Sequence, residues 1–256
     1  MSYSREWSTR LLHEASYHRK SCFITLTYSD ENLPQNGSLD KSELQRFIKR
    51  LRFALGDQKI KYFACGEYGD DSDRPHYHAI ILGWRPDLKD LKLATIKNGK
   101  KIFSSKFLCS VWSLGNNSVG SVTYDSCRYV VDYIMKKYNG QTAKEVYGDR
   151  VVPFRICSNG IGKRYAQDNQ VRLKENLADT VRGVPIGLPR YYRKVLDIPT
   201  EDLAAKAIER QEKREEARRK KFGDDVLKYA FAELADRRQR ELNLEARKSL
   251  KRKGKF

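Results

Sequence analysis

Nowhere in its 256 residues does the chain carry a run of about 18 apolar residues, so no segment reads as a membrane-spanning helix. The opening stretch MSYSREWSTR lacks the apolar core of a secretory signal, and the expectation is a protein that stays in the cytoplasm where it is made. Cysteine is sparse as well. Cys22, Cys65, Cys109, Cys127 and Cys157 stand singly, odd in number and without a CxxC spacing, which excludes a disulfide framework or a zinc knuckle and leaves free, mostly buried thiols. There is no GxxxxGK[ST] phosphate loop and no internal repeat. The scarcest commodity is acid: 33 Asp and Glu stand against 51 Lys and Arg, a formal charge of +18. Such an excess calls for a polyanionic partner whose counterions are released on binding, and nucleic acid is the first candidate.

What is present divides unevenly. Residues 4 to about 18 set Trp7, Leu11, Leu12 and Ala15 on one helical stripe, and Cys22–Tyr28 reads as a strand. Asp40 and Glu43 form a capping box ahead of a helix with Leu44, Phe47, Ile48 and Leu51 at helical spacing. Strands follow over 59–66 and 76–82, joined by a polar loop with Asp70, Asp71 and Asp73. After a basic segment come a helix over 103–112, a strand over 119–124, a helix over 126–138 capped by Asp125, and a strand-like stretch over 151–157. This order suits an α+β domain of mostly antiparallel sheet covered by helices. It is expected to span residues 1–200, followed by a charged helical region over 201–256 in which ERQEKREEARRKK has almost no apolar face.

Two constellations carry chemistry. His76 and His78, half of the chain's four histidines, sit at i and i+2 of a strand and so project from one face. If residues 59–82 form a hairpin centred near Asp71 and Ser72, Glu67 lies opposite His76 and supplies a carboxylate. Two neutral imidazoles and a carboxylate make a mixed N/O set suited to Mg²⁺ or Mn²⁺, with zinc also compatible. The plain alternative is a chance His-x-His satisfied by hydrogen bonds. The second constellation is Tyr129-Val130-Val131-Asp132-Tyr133, with Lys136 and Lys137 a turn further on. Tyr129 and Tyr133 share a helical stripe with Lys137, so all three can face one phosphate. A tyrosine hydroxyl titrates near pH 10 and needs nearby cations to act as a nucleophile at neutral pH.

Together these residues resemble the HUH endonucleases (His, hydrophobe, His) that initiate rolling-circle replication, and among them the initiators of microviruses, the small single-stranded DNA phages, in particular the gokushovirus branch. Phe23-Ile24-Thr25-Leu26-Thr27-Tyr28 with Asn32-Leu33-Pro34 is similar to the family's first motif. Cys65-Gly66-Glu67-Tyr68-Gly69 with Arg74-Pro75-His76-Tyr77-His78 is similar to the second, and Tyr129–Lys137 to the third. Asn159-Gly160-Ile161-Gly162 and Leu188-Pro189-Arg190-Tyr191-Tyr192 extend the resemblance to about residue 195. It implies a five-stranded antiparallel sheet on an RRM-like plan, with metal held by Glu67, His76 and His78. Catalysis is then by Tyr129 and Tyr133 with Lys136 and Lys137, through a 5′-phosphotyrosine on single-stranded DNA at the phage origin. Without a phosphate loop, strand separation and synthesis fall to a host helicase and DNA polymerase in the bacterial cytoplasm. Two rival readings remain: an RRM-like module that only binds single strands, and a metal-dependent nuclease that uses water as nucleophile.

Overall fold

Period-two alternation in the first strand organises the molecule. In the computed structural model, which describes residues 3–69, 73–97, 100–135, 140–181, 183–223 and 225–253, the elements run in the following order. They are α1 (Tyr3–Ala15), β1 (Ser21–Tyr28), α2 (Lys41–Ala54), β2 (Lys61–Tyr68), β3 (Pro75–Leu82), β4 (Leu91–Lys97), β5 (Lys100–Ser105), α3 (Lys106–Val111) and β6 (Gly115–Gly120). There follow α4 (Tyr124–Met135), α5 (Gly140–Tyr147), β7 (Phe154–Cys157), α6 (Lys163–Asp168), α7 (Gln170–Asn176), β8 (Ala178–Val181), β9 (Val184–Gly187) and α8 (Arg190–Val195). These belong to one unit, Met1–Asp197; a second, Ile198–Phe256, holds α9 (Thr200–Phe222) and α10 (Val226–Lys253). Helix α9 buries none of its residues, as its continuous charge requires.

Among the described residues seven strands form one antiparallel sheet in the order β4-β5-β6-β1-β3-β2-β7. The five strands expected from the sequence are present, and the sheet is wider by the β4–β5 ribbon. That ribbon lies largely in the basic segment that periodicity left unassigned, because its strands are exposed and show no clean apolar alternation. The expected helix over 103–112 begins only at Lys106, and the expected strand over 119–124 is instead Gly115–Gly120.

Cys22, Ile24, Leu26 and Tyr28 point to one side of β1 and join Tyr77, Ala79 and Ile81 under α2 and α3. The opposite side carries Phe63, Cys65, Ile80 and Leu82, covered by Trp7 and Leu11 of α1 and by Cys127, Val130 and Val131 of α4. Burying such side chains stabilises each by roughly 1.5–3 kcal/mol, which fixes both helices on this face.

Caps differ in detail from the expected ones. Asp40 accepts from the amides of Ser42 and Glu43, but its own amide donates to the Tyr77 hydroxyl at 2.8 Å, so Glu43 is released to pair with Arg46. At α4 the reciprocal cap is Thr123 with Ser126: the Thr123 amide donates to Ser126 Oγ at 2.7 Å and the Ser126 amide to Thr123 Oγ1 at 3.1 Å. Asp125 therefore lies inside the first turn rather than capping it.

The later motifs fasten the chain's return against α1. Arg10 lies between Trp7 and Tyr191, 4.0 Å from each ring centroid, and donates to the Ile161 carbonyl. Glu14 accepts from Lys61 at 2.8 Å and from the Gly162 amide at 2.6 Å. His13 stacks on Tyr165 and lies 2.9 Å from the Tyr192 hydroxyl; burial pushes its pKa down to about 4, so the ring is neutral. Helix α1 thus buries polar residues beside its apolar stripe, a second contact face that hydrophobic periodicity cannot reveal.

Gly162 explains one of those motifs. It has φ +78°, and a Cβ there would stand 2.5 Å from the buried Tyr192 hydroxyl. Gly162→Ala is expected to cost about 1–3 kcal/mol from strain and overpacking. Gly183→Ala, at φ +74° with nothing within 4 Å, should cost less. Urea unfolding midpoints of the two variants check the difference, and equal losses would remove the clash with Tyr192 as the cause.

Candidate active site

The register of the β2–β3 hairpin sets Glu67 directly opposite His76 and Cys65 opposite His78. This is the pairing required by a hairpin centred near Asp71 and Ser72, two residues outside the described ones. On the other flank of β3, β1 sets Thr25 opposite His78 and Thr27 opposite His76. Directly paired residues share a sheet face. Glu67, His76, His78, Thr25 and Thr27 therefore occupy one face, the one that α4 partly covers.

His78 and Glu67 are both buried, at 4% and 5% exposure, and their Nε2 and Oε1 lie 2.7 Å apart. Burial pushes the His78 pKa down to about 3, so the imidazole is neutral and donates its Nε2 proton to the carboxylate. Its Nδ1 then accepts from Thr25 Oγ1, at 2.9 Å. His76 is half-buried, with its pKa also lowered, first by burial. Its Nδ1 donates to the Arg74 carbonyl, which leaves the Nε2 lone pair available. The two imidazoles are nearly parallel with centroids 6.4 Å apart. Arg74 itself bonds the Tyr28 carbonyl at 2.8 Å and Asp30 at 2.7 Å, tying the end of β1 to the start of β3.

Among the described residues no three His, Cys, Asp or Glu side chains are gathered closely enough to hold a metal ion. The reason is visible in the bonding: Glu67 and His78 satisfy each other, and His76 is turned onto a backbone carbonyl. The donor chemistry nevertheless fits a divalent cation. One carboxylate and two neutral imidazoles share a face, and Glu67 Oε1 and His78 Nε2 are about as close as two ligands of one ion, which stand roughly 3 Å apart for bonds of about 2.1 Å.

Helix α4 brings the tyrosines over this face. Its Cys127, Val130 and Val131 pack on β2 and β3, which turns the Tyr129 side of the helix toward β1. The Tyr129 ring is 42% exposed and meets His78 edge-on at 5.5 Å and Phe23 at 6.1 Å. Phe23 in turn stacks on His78 at 5.7 Å. Asp132 anchors the helix through Ser4 and Arg128. Tyr133 lies in α4 one turn beyond Tyr129, its side chain outside the described residues, and Lys136, Lys137 and Tyr138 lie outside them altogether.

Sequence reasoning assigned no role to Thr25 or Phe23. Both lie in the first motif, but their place beside His78 depends on the β1–β3 register, which local pattern does not specify. The Thr25 hydroxyl can accept or donate. It can therefore bond either tautomer of His78, including the one whose Nε2 lone pair is free for a cation. Thr25→Val, which keeps the shape and removes the hydroxyl, is expected to weaken Mn²⁺ binding about tenfold, the lower end for residues supporting a ligand. Titration calorimetry without DNA checks this, and an unchanged affinity would exclude Thr25 from supporting His78.

Residues 21–138 match a family model of phage replication-associated proteins of the ORF2 type. This places the segment that contains the His pair and the tyrosine helix in that family. The chain is similar to replication-associated protein VP4 of Bdellovibrio phage phiMH2K, 37% identical over 205 residues that cover 75% of this chain and 63% of that protein. It is also similar to replication-associated protein ORF2 of Spiroplasma virus 4, at 33% identity over 78% of this chain and 65% of that protein. Replication-associated protein ORF4 of Chlamydia phage 1 is 27% identical over 75% of this chain and 50% of its own length. The chain thus spans half to two thirds of these relatives. The resemblance to microvirus replication proteins read from the motifs is borne out by these matches. No solved structure matches the chain. No helix among the described residues is long and apolar enough to cross a membrane.

Proposed function

We propose that this chain is an HUH endonuclease that nicks and rejoins single-stranded DNA at a phage origin to start rolling-circle replication. The observation that carries the reading is the sheet register that sets Glu67, His76 and His78 on one face, with the Tyr129 ring 5.5 Å from the His78 ring. The relatives' printed role in phage replication and the +18 charge support it.

Tyr129 or Tyr133 attacks the scissile phosphorus through its phenolic oxygen as the bond from phosphorus to the 3′ oxygen breaks. The phenolic proton is lost, and the departing oxygen takes up a proton to become a 3′-OH primer. The phosphodiester persists as a 5′-phosphotyrosine, so joining is the reverse reaction and needs no nucleotide. Lys136 and Lys137 stabilise charge developing on the phosphate. A divalent cation, Mg²⁺ or Mn²⁺, held by Glu67, His76 and His78, supplies Lewis-acid activation of that phosphate. Thr25 and the Arg74 carbonyl orient the two imidazoles, and Phe23 backs His78.

Unwinding and synthesis are assigned to a host helicase and DNA polymerase in the bacterial cytoplasm. The charged helices after residue 200 serve DNA binding or assembly rather than chemistry. The test is whether origin DNA incubated with protein and Mn²⁺ stays attached to the protein after denaturation.

A further inference from the structure

The face that bears the candidate site does not end at β1. Successive pairings His78↔Thr25 and Thr25↔Ser118 carry one cross-strand row from β3 through β1 to β6. The antiparallel continuation of Phe103↔Val119 sets Ser104 of β5 beside Ser118, and Ser104 pairs with Lys92 of β4. Lys92 therefore stands in the same row and on the same face as His78, four strand steps away, roughly 19 Å at the usual inter-strand spacing. Every residue of the row beyond His78 is polar and uncharged until it ends on a cation. Its members are half-buried at Thr25, Ser118 and Ser104 and exposed at Lys92.

The ribbon is built to hold its position and its charge. Asn117 takes both the amide and the carbonyl of Ser105, at 2.9 and 3.1 Å, and Asp90 accepts from the Phe107 amide and from Ser105 Oγ. That occupies the last carboxylate before a stretch, Leu91–Tyr124, which contains no Asp or Glu at all but has Lys92, Lys97, Lys100, Lys101 and Lys106. Backbone alternation sorts the ribbon's positions. Those of Leu93, Phe103, Ile96 and Lys101 belong to the face opposite the site, whereas those of Lys92, Thr95 and the register pair Lys97↔Lys100 belong to the site's own face.

We propose that the β4–β5 ribbon is a phosphate-binding extension of the site, over which the single-stranded DNA flanking the scissile phosphate is held. The inference rests on the reading that this face works on single-stranded DNA, but not on the phosphotyrosine step. A polyanion crossing the sheet from His78 meets no carboxylate on that row and arrives at a lysine-rich ribbon. A strand too short to reach the ribbon gains nothing from it.

The experiment measures fluorescence-anisotropy binding in chelator, so that no cleavage intervenes, for a short oligonucleotide centred on the nick site and for a long one extending on both sides. The variants are the triple substitution Lys92→Ala, Lys97→Ala, Lys100→Ala, the single Lys92→Ala and, as the opposite-face control, Lys101→Ala. The triple variant is expected to bind the long oligonucleotide at least tenfold more weakly, with a salt slope shallower by about 2, from about 0.7 per lost phosphate contact on three contacts. Its affinity for the short oligonucleotide and the behaviour of Lys101→Ala should match wild type. Unchanged long-strand affinity and slope in the triple variant overturn the proposal. So does a loss in Lys101→Ala equal to that of Lys92→Ala alone, which would mean diffuse charge rather than a face, and so does a loss confined to duplex DNA. If the ribbon effect appears but no covalent adduct ever forms, the proposal stands and the nicking reading falls.

Discussion

His76→Ala and His78→Ala are each expected to reduce origin cleavage by about 10³-fold while leaving affinity for single-stranded DNA within a few-fold of wild type. Binding draws on phosphate contacts spread over many of the 51 Lys and Arg residues, so deleting one neutral imidazole removes little of it. Cleavage depends on both rings, because His76 offers its Nε2 lone pair and His78 its contact with Glu67. Chelator should reproduce both variants. The check is a paired measurement of cleavage rate and binding, with circular dichroism to verify folding. His78 is the harder case, since its loss strands a buried Glu67 carboxylate; His76, half-buried and bonded only to a local carbonyl, is the cleaner probe. Parallel loss of binding and cleavage in a folded His76→Ala protein would mark the histidines as structural.

The second large effect concerns nucleophile choice. If Tyr129 and Tyr133 alternate, each single Phe variant should retain adduct formation in a single nicking step, whereas the double variant should form none. The shared stripe of α4 permits alternation: one tyrosine retains the 5′ end while the other attacks the origin regenerated after a full circuit. Single variants should therefore fail in joining and recycling more than in first cleavage. Peptide mapping of the adduct decides. An adduct on only one of the two in both nicking and joining would leave a single nucleophile, and one on Tyr138 would mean the active stripe is set differently.

The sequence allowed much of this site to be located because its parts are local. Two histidines at i and i+2, and a carboxylate at hairpin distance, need only strand periodicity and a turn position. The observed pairing of Glu67 with His76 follows from them. What could not be read there depends on non-local register. The contact of Thr25 with His78 and the row that ends on Lys92 exist because β1 lies between β3 and β6, and nothing in Phe23–Tyr28 specifies its neighbours. The β4–β5 ribbon escaped notice for another reason. It buries few side chains, so it lacks the apolar alternation by which strands are recognised, and Phe103 at its base fitted a helical pattern equally well. Buried polar residues such as Arg10, His13 and Glu14 were hidden by the same logic, since their partners in 160–192 lie about 150 residues or more away.

The central claim is that a tyrosine of this chain, rather than water, attacks DNA. Labelled single-stranded origin DNA incubated with the protein and Mn²⁺, then run on a denaturing gel, tests it most directly. The account predicts a labelled species at the protein's mass plus the 5′-phosphorylated downstream fragment, together with a released upstream fragment ending in a 3′-OH. Cleaved DNA with no attached protein would contradict it in favour of hydrolysis, and bound but uncleaved DNA would leave only a single-strand-binding protein.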